Sequence, residues 1–218
     1  MCSGRVDLEF IFRAFAKGQD GVFMGGCKLD ECNYTTHGNY DAYATAWMAK
    51  RILAAIGLNP DRLNLEFMSG ADGQLLAEKT DAFTAKIKEI GPLFVEGGEN
   101  QEGVNADQVR FLLKAALRLV PYLKLVERER LRVAEKSKTA YTAFFEDREV
   151  KNLFDEIIQE KLALGRIMLL LESSALSTGD ISLRLGLSPS EVARHMKTSS
   201  RQGLVRYNTR TKCYEPAL

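Results

Sequence analysis

Three cysteines near the amino terminus are the residues of this chain best suited to bind a metal. Cys2 lies in Met-Cys-Ser-Gly-Arg-Val-Asp, and Cys27 and Cys32 share the segment Gly-Gly-Cys-Lys-Leu-Asp-Glu-Cys-Asn-Tyr. Cysteine thiolates bind zinc and iron–sulfur clusters, and the glycines before Cys27 let backbone N–H groups approach the sulfur atoms. The pattern predicts a metal or cluster site and leaves the identity of the metal open.

Other chemistries for these thiols are weaker. Structural zinc normally takes two close pairs of ligands, and this chain has one such pair; His37 would be a fourth ligand, but a histidine in a polar loop is usually solvated. The absence of Cys-x-x-Cys argues against a redox dithiol. A free cysteine is often a small buried hydrophobe, so three purely structural thiols stay an alternative. Cys213 is distant in sequence and is treated as unrelated.

The composition is that of an ordinary soluble protein. Hydrophobic residues make up 45% and charged residues 27% of the 218 residues, and 30 Lys and Arg nearly balance 29 Asp and Glu. No apolar run approaches the ~20 residues of a membrane helix, and no signal peptide opens the sequence. We therefore expect a cytoplasmic protein with no membrane association. The sequence also has no serine–histidine–aspartate arrangement, phosphate loop or GxGxxG motif, which argues against a substrate site of its own.

The first part of the chain must position the cysteines, and its pattern alternates between helix and strand. The predicted elements are a helix over 7–17 with Asp7 as N-cap, a strand over 20–26, a helix over 39–56, a strand over 63–68 and a helix over 72–90. Strands separated by helices predict an α/β fold with a small parallel sheet and flanking helices. Met1 and Cys2 would then be the end of a further strand whose body is absent.

Two further regions follow, so the predicted division is 1–93, 94–156 and 157–218. Residues 94–105 are polar and glycine-rich, which indicates a linker before a helical region. In the last region, Ser188-Pro-Ser-Glu predicts a capping box at the start of a helix. A short helix precedes it and a two-stranded wing over 204–215 follows, so this region resembles a winged helix-turn-helix.

Two kinds of partner are compatible with the winged-helix-like region. Residues 161–218 contain nine Lys and Arg against four Asp and Glu, a net charge of +5. One partner is DNA: the helix that begins at Ser188 would enter the major groove, and the cations of the wing would contact backbone phosphates. The cations concerned are Arg194, His195, Lys197, Arg201, Arg206, Arg210 and Lys212. Docking to another protein is the interpretation we favour on sequence grounds, with DNA less favoured.

Residues 1 to about 93 resemble the delta subunit of methyl-viologen-reducing hydrogenase. The motifs that carry the resemblance are Met1-Cys-Ser-Gly-Arg-Val-Asp, Gly26-Cys-x4-Cys-x-Tyr, Gly38-Asn-Tyr, Gly57-Leu-x-Pro-x-Arg-Leu and Leu65-Glu-Phe-Met-Ser. The resemblance implies a non-catalytic subunit with one [2Fe-2S] cluster. It implies electron relay between a hydrogenase or formate dehydrogenase module and a heterodisulfide-reductase-like flavin and iron–sulfur subunit.

By motif match, the cluster ligands would be Cys2, Cys27 and Cys32. Arg5, Lys28 and Tyr34 would surround the cluster, where positive charge and hydrogen bonds help to set its potential.

The chain departs from the family pattern in two ways. Family members usually carry a strand and a cysteine-rich segment before the Met-Cys-Ser-Gly-Arg motif. They also tend to have His-Pro-Gly between the paired cysteines, where this chain has Lys28, Leu29 and Asp30. The first departure suggests the hypothesis that this is an amino-terminally shortened version of a longer product, which an upstream reading frame without such a segment would contradict.

Two other functions compete with the electron-transfer subunit. A metal- or redox-responsive winged-helix transcription regulator would use the cysteines as sensor and the last region as output. A cluster-free scaffold is the third possibility. Visible colour bleached by dithionite would favour the relay, and a colourless zinc protein that shifts a DNA duplex would favour the regulator.

Overall fold

The computed structural model describes residues 2–34, 38–130 and 133–217, without the side chains of 127–130. The chain forms two compact units, Met1–Gln159 and Glu160–Leu218, which we call the amino-terminal and carboxy-terminal units. The division predicted from the sequence, with boundaries after residues 93 and 156, remains a prediction. In the described part of the chain, no helix is both long enough and apolar enough to cross a bilayer.

A two-stranded parallel sheet forms the centre of the amino-terminal unit. Strand β1 (Val22–Gly26) pairs with β2 (Leu63–Phe67), with Val22 opposite Leu63 and Gly26 opposite Phe67. Helix α2 (Asn39–Ala55) lies between the two strands in sequence. The predicted small parallel sheet with flanking helices is thus confirmed.

The further strand expected to end at Cys2 is absent from the described residues. Cys2 has an extended backbone but no strand partner, and Ser3–Arg5 form a 3₁₀ turn instead. The turn closes with hydrogen bonds from Arg5 N–H to Cys2 O and from Val6 N–H to Ser3 O, each 3.0 Å. Local turn bonds satisfy the backbone after Cys2, and the strand end at Met1 and Cys2 stays a prediction, because the body of that strand was expected to be absent from this chain.

Helix α1 follows the sequence prediction closely. It spans Leu8–Ala16, and the Asp7 carboxylate accepts the Glu9 N–H at 2.9 Å as the predicted N-cap. Gly18 ends it with φ +94°, a conformation that glycine adopts without strain. The buried face of α1, Leu8, Ile11, Phe12 and Phe15, lies against later helices of the same unit.

The remaining helices of the amino-terminal unit lie outside the sheet. They are α3 (Gly73–Ile90), α4 (Ala106–Arg130), α5 (Lys138–Glu146) and the first part of α6 (Arg148–Ser173). Helix α4 packs on α1 and continues through Pro121, although proline removes one helix hydrogen bond. Buried residues before and after the proline, Leu119, Val120, Leu123 and Val126, offset that loss.

An aromatic cluster joins α2 to α5 and α6. Tyr40 and Tyr141 have ring centroids 4.4 Å apart, and Trp47 lies 4.9 Å from Phe145 and 5.4 Å from Phe154. Such tilted and edge-on pairs add to the stabilisation from burial. The cluster makes residues beyond 140 part of the amino-terminal core.

The segment predicted as a linker, 94–105, is held against the amino-terminal unit. Arg62 is fully buried and forms a two-bond ion pair with Glu102, at 2.7 and 2.9 Å. Arg62 also donates to the carbonyls of Asp20 and Gly91, each at 3.0 Å. The segment is therefore anchored by a buried charge pair.

The carboxy-terminal unit contains the helices and hairpin that the sequence predicts. After α6 come α7 (Thr178–Leu185), α8 (Pro189–Arg201) and an antiparallel hairpin of β3 (Val205–Asn208) and β4 (Cys213–Pro216). Both α7 and α8 begin with complete capping boxes, and Gly186 ends α7 in the left-handed conformation.

Candidate metal centre

The sulfur atoms of Cys2 and Cys32 lie 3.8 Å apart. Cys2 precedes the 3₁₀ turn and Cys32 lies in the loop after β1, so thirty residues of chain separate them. Two sulfurs bound to one tetrahedral metal at about 2.3 Å are themselves roughly 3.8 Å apart. The spacing of this pair therefore fits two ligands of a single metal ion.

Two glycines make this approach possible. A Cβ atom on Gly38 would lie 2.7 Å from Cys32 Sγ and 2.6 Å from the Tyr34 carbonyl oxygen. A Cβ atom on Gly4 would lie 2.2 Å from the Gly38 carbonyl oxygen. Because both contacts are too short for any side chain, the turn after Cys2 and the end of the Cys32 loop can meet only through glycine.

The start of α2 holds the cysteine loop in place. The Asn39 side-chain amide donates to the carbonyls of Cys27 at 2.9 Å and Lys28 at 2.6 Å. The Tyr40 hydroxyl donates to the Asp30 carboxylate, and Asp30 has a left-handed backbone with φ 72°. Burial and then the Asp30 hydrogen bond raise the pKa of Tyr40, so it remains a neutral donor. Sequence reasoning missed Asn39 because its partners are backbone atoms eleven and twelve residues away.

The environment of Cys32 favours its thiolate. The backbone N–H of Tyr34 lowers the pKa of Cys32 most, and the backbone of Asn39 and the Cys2 thiol lower it further, against the opposing effect of burial. Hydrogen bonds to a charged group stabilise the charged form. A thiolate is the form of cysteine that binds metal.

Cys27 is placed differently from the other two cysteines. It directly follows β1, at the carboxyl end of the parallel sheet, and its side chain is exposed. Among residues 2–34, 38–130 and 133–217, no three His, Cys, Asp or Glu side chains are grouped closely enough to hold a metal. The structure thus brings Cys2 and Cys32 together and leaves Cys27 outside that pair. His37, considered as a further ligand, lies outside the described residues.

The three residues expected around the cluster are all exposed. The Lys28 ammonium lies 3.0 Å from the Asp72 carboxylate, and this hydrogen bond raises the pKa of Lys28. The Tyr34 ring is 60% exposed, and its backbone is what reaches Cys32. Arg5 has an exposed side chain, and its backbone N–H bonds to the Cys2 carbonyl. Much of the Lys28 charge is therefore directed at Asp72.

Ser3 is a further feature that the sequence did not single out. Its hydroxyl is buried and has no hydrogen-bond partner within the described part of the protein. It lies close to the backbone of Gly26, where a Cβ atom would come within 2.7 Å of it. A buried donor beside Cys2 is suited to an anionic sulfur acceptor.

Together, the small parallel sheet, the paired thiols and the glycine contacts define an α/β protein with two cysteine sulfurs in contact. Residues 1–91 match the family model described as methyl-viologen-reducing hydrogenase, delta subunit. The chain belongs to this family, as the predicted resemblance indicated. The winged-helix likeness of the carboxy-terminal unit remains a prediction.

Named relatives agree with this assignment. An iron–sulfur subunit of the F420-non-reducing hydrogenase of Archaeoglobus profundus is 42% identical over 95 residues, which are 44% of this chain and 69% of that protein. The corresponding vhu iron–sulfur subunit of Methanococcus maripaludis is 40% identical over 91 residues, 42% of this chain and 67% of the relative.

A longer relative shares only the same region. It is one of the subunits of the ferredoxin/F420H2-dependent CoB–CoM heterodisulfide reductase of Methanosarcina acetivorans, and it is 41% identical over 93 residues. The match covers 43% of this chain but 12% of the reductase protein. The shared domain therefore occurs both in small subunits and within a much larger chain.

Proposed function

We propose that this protein is an electron-transfer subunit of a redox complex and holds a [2Fe-2S] cluster with Cys2, Cys27 and Cys32. The observation that carries the proposal is the 3.8 Å separation of the Cys2 and Cys32 sulfurs, in a family whose relatives are named iron–sulfur subunits. Such a cluster takes four ligands, so one position falls to a donor other than these three thiolates.

The residues around the pair suit an anionic sulfur centre. Backbone N–H groups of Tyr34 and Asn39 favour the Cys32 thiolate, and the buried Ser3 hydroxyl is an unused donor. When bound, the cluster would supply single-electron transfer. Cys27, at the exposed carboxyl end of β1, would complete the set at the surface, where a partner's redox centre can approach.

The surrounding charges would tune the centre unequally. Arg5 has an exposed guanidinium with no ion-pair partner among the described residues, whereas Lys28 is paired with Asp72. We expect Arg5 to affect the cluster potential more than Lys28, because an unpaired cation offsets negative charge on the sulfurs more fully. The exposed Tyr34 ring would lie at the edge of the partner surface.

The proposed partners follow from the relatives' names. Proteins named as hydrogenase and as heterodisulfide reductase subunits both carry this domain. We infer a cytoplasmic complex that joins a hydrogenase or formate dehydrogenase module to a heterodisulfide-reductase-like flavoprotein.

The test is iron and acid-labile sulfide analysis of anaerobically prepared protein, with visible spectra before and after dithionite. The expected result is about two irons and two sulfides per chain and absorbance that dithionite bleaches. Cys27→Ser and Cys32→Ser should each lose most of the iron and colour. Cys213→Ser is the matched control, since this thiol lies in the carboxy-terminal unit, and should keep both.

Two outcomes would contradict the proposal. The first is a colourless protein that binds zinc and no iron. The second is that Cys27→Ser and Cys32→Ser both retain the iron content and the visible spectrum of the Cys213→Ser control.

A further inference from the structure

Helix α8 presents a cationic face to solvent. Its buried side consists of Val192, His195, Met196 and Ser199. Arg194, Lys197 and Arg201 are exposed on the other side, at spacings of three and four residues that place them along one stripe. Within the described residues, no carboxylate lies at ion-pair distance from these three side chains. The stripe therefore forms no salt bridge within the described part of the chain, and its nearest electrostatic partner is Glu191, whose pKa Arg194 helps to lower.

The acidic residues near this face are already engaged. Asp180 and Glu191 are the acidic members of the two capping boxes, where hydrogen bonds from Ser177 and Ser188 lower the pKa of each. Glu215 pairs with Arg206 at 2.9 Å. These three carboxylates are therefore already hydrogen-bonded or ion-paired within the carboxy-terminal unit.

Charge is also divided unequally along the chain. Residues 160–218, the carboxy-terminal unit, carry nine Lys and Arg against five Asp and Glu, a net +4, whereas residues 1–159 carry 21 against 24, a net −3. A basic unit attached to an acidic one is the pattern expected when one part binds a polyanion.

The hairpin adds cations beside the helix pair. Helix α8 contacts β3, and the exposed turn between the strands carries Arg210 and Lys212. The hairpin is fixed to the segment before α7, because Leu176 and Tyr214 exchange two backbone hydrogen bonds at 3.1 and 2.8 Å. The hairpin is therefore held by a third, one-residue strand.

We propose that the carboxy-terminal unit is a winged helix that binds duplex DNA, with α8 in the major groove and the hairpin turn on phosphate. The order of helix, one-residue strand, two helices and hairpin fits this fold. The 13 residues of α8 span roughly 20 Å, and the major groove of about 12 Å admits one helix. Ser190 and Thr198 add exposed hydroxyl groups to the same helix.

The observations favour DNA over the other polyanions and over a protein. Double-stranded RNA has a deep, narrow major groove that side chains cannot read. A contiguous apolar patch often marks a protein-docking surface, whereas the exposed apolar residues of this unit, Leu183, Leu204 and Tyr207, lie on three different segments. Leu183, 86% exposed on α7, is the best candidate for protein contact and provides the competing test.

The experiment measures binding of the full chain to a fluorescein-labelled duplex by anisotropy, between about 50 and 200 mM KCl. We expect binding that weakens steeply with salt. The triple variant Arg194→Ala, Lys197→Ala, Arg201→Ala should weaken binding at least about tenfold. It should also lower the salt slope by about one for each phosphate that the variant no longer neutralises.

The matched control changes three exposed cations of the amino-terminal unit, Lys17→Ala, Lys88→Ala and Lys114→Ala. It removes the same net charge and should bind the duplex like the unaltered chain. Circular dichroism should show that both triple variants keep their helices, because all six side chains are exposed.

Four results would overturn the proposal. The first is no duplex binding at low salt, and the second is equal loss in both triple variants. The third is salt-independent binding to a partner protein that Leu183→Ser abolishes. A preference for duplex RNA over DNA would also contradict it. The proposal does not rest on the metal centre, so Cys32→Ser should bind the duplex unchanged.

Discussion

At the scale of single residues, the buried side chain of Arg62 connects several segments of the amino-terminal unit. Its guanidinium is fully buried and makes four hydrogen bonds, two to Glu102 and one each to the carbonyls of Asp20 and Gly91. The Asp20 carboxylate in turn accepts the Leu93 N–H at 2.6 Å. These bonds attach the end of α3 and the segment that follows it to Asp20 and Arg62, which lie just before β1 and β2.

We predict that Arg62→Met destabilises the amino-terminal unit by about 3–5 kcal/mol, because it leaves the Glu102 carboxylate, which is 11% exposed, without its cationic partner and removes a donor from two carbonyls. Glu102→Gln keeps two hydrogen-bonding atoms and should cost less, about 1–2 kcal/mol. Urea unfolding followed by fluorescence of Trp47, the only tryptophan, reports on this unit.

The control for Arg62 is Arg13→Met. Arg13 is exposed and forms an i,i+4 ion pair with Glu9 at 3.4 Å, so its loss should cost less than about 0.5 kcal/mol. An Arg62→Met chain as stable as the Arg13→Met chain would contradict the role given to the buried pair.

At the scale of elements, local sequence signals predicted the ends of helices well. Asp7 and Ser188 each cap the start of a helix in the structure, as predicted, because capping depends on residues within one turn. The contact between Cys2 and Cys32 needs two glycines to meet across the fold. No local sequence pattern predicts the contact between Cys2 and Cys32.

For the same reason, composition did not predict the contacts that segment 94–105 makes. Its glycines and charges are typical of a linker, yet Asn100 is buried and bonds to the Leu93 carbonyl and to the N–H groups of Glu102 and Val104. Arg62, which anchors the segment through Glu102, lies 40 positions away. Sequence reasoning could not find partners at that separation.

Helix α8 should make the stability of its unit depend on pH. Burial lowers the pKa of His195 most and Arg194 lowers it further, with Lys161 in the same direction and Glu160 and Glu191 opposing. The unfolded chain gains its proton near pH 6.5, above the folded pKa. Stability is therefore complete above that pH and falls as the pH drops below about 6.5.

Hydrogen exchange of α8 peptides, corrected for intrinsic rates, measures this effect. Protection should decrease from pH 7.5 to about 5.5 in the unaltered chain, in the range where the unfolded histidine titrates. It should decrease less in His195→Gln, which has no titrating group at this position. Equal pH dependence in the two chains would show that another group is responsible.

At the scale of the whole molecule, the region shared with relatives is not a closed structural unit. The family match ends at residue 91, whereas α4 covers α1, and Tyr141 and Phe145 pack on α2. The buried residues Leu113, Ala116 and Val120 also lie beyond the match. The amino-terminal core is therefore completed by the chain's own later helices.

We predict that a chain cut after residue 93 fails to fold cooperatively, because the apolar face of α1 and the α2 aromatics would be exposed. A chain cut after residue 159 should unfold in a single transition, since it keeps the whole compact unit. Thermal unfolding and binding of a hydrophobic dye distinguish the two. A stable, dye-free product from the shorter chain would refute the prediction.

The position of α4 also determines which side of the proposed metal centre is covered. The Lys124 ammonium of α4 lies 2.6 Å from the Asp7 carboxylate at the start of α1. Helix α4 therefore covers this side of α1. The Cys27 thiol and the Tyr34 ring, by contrast, stand open to solvent. In the proposed function, a partner would therefore meet the loop side, where these two residues are exposed.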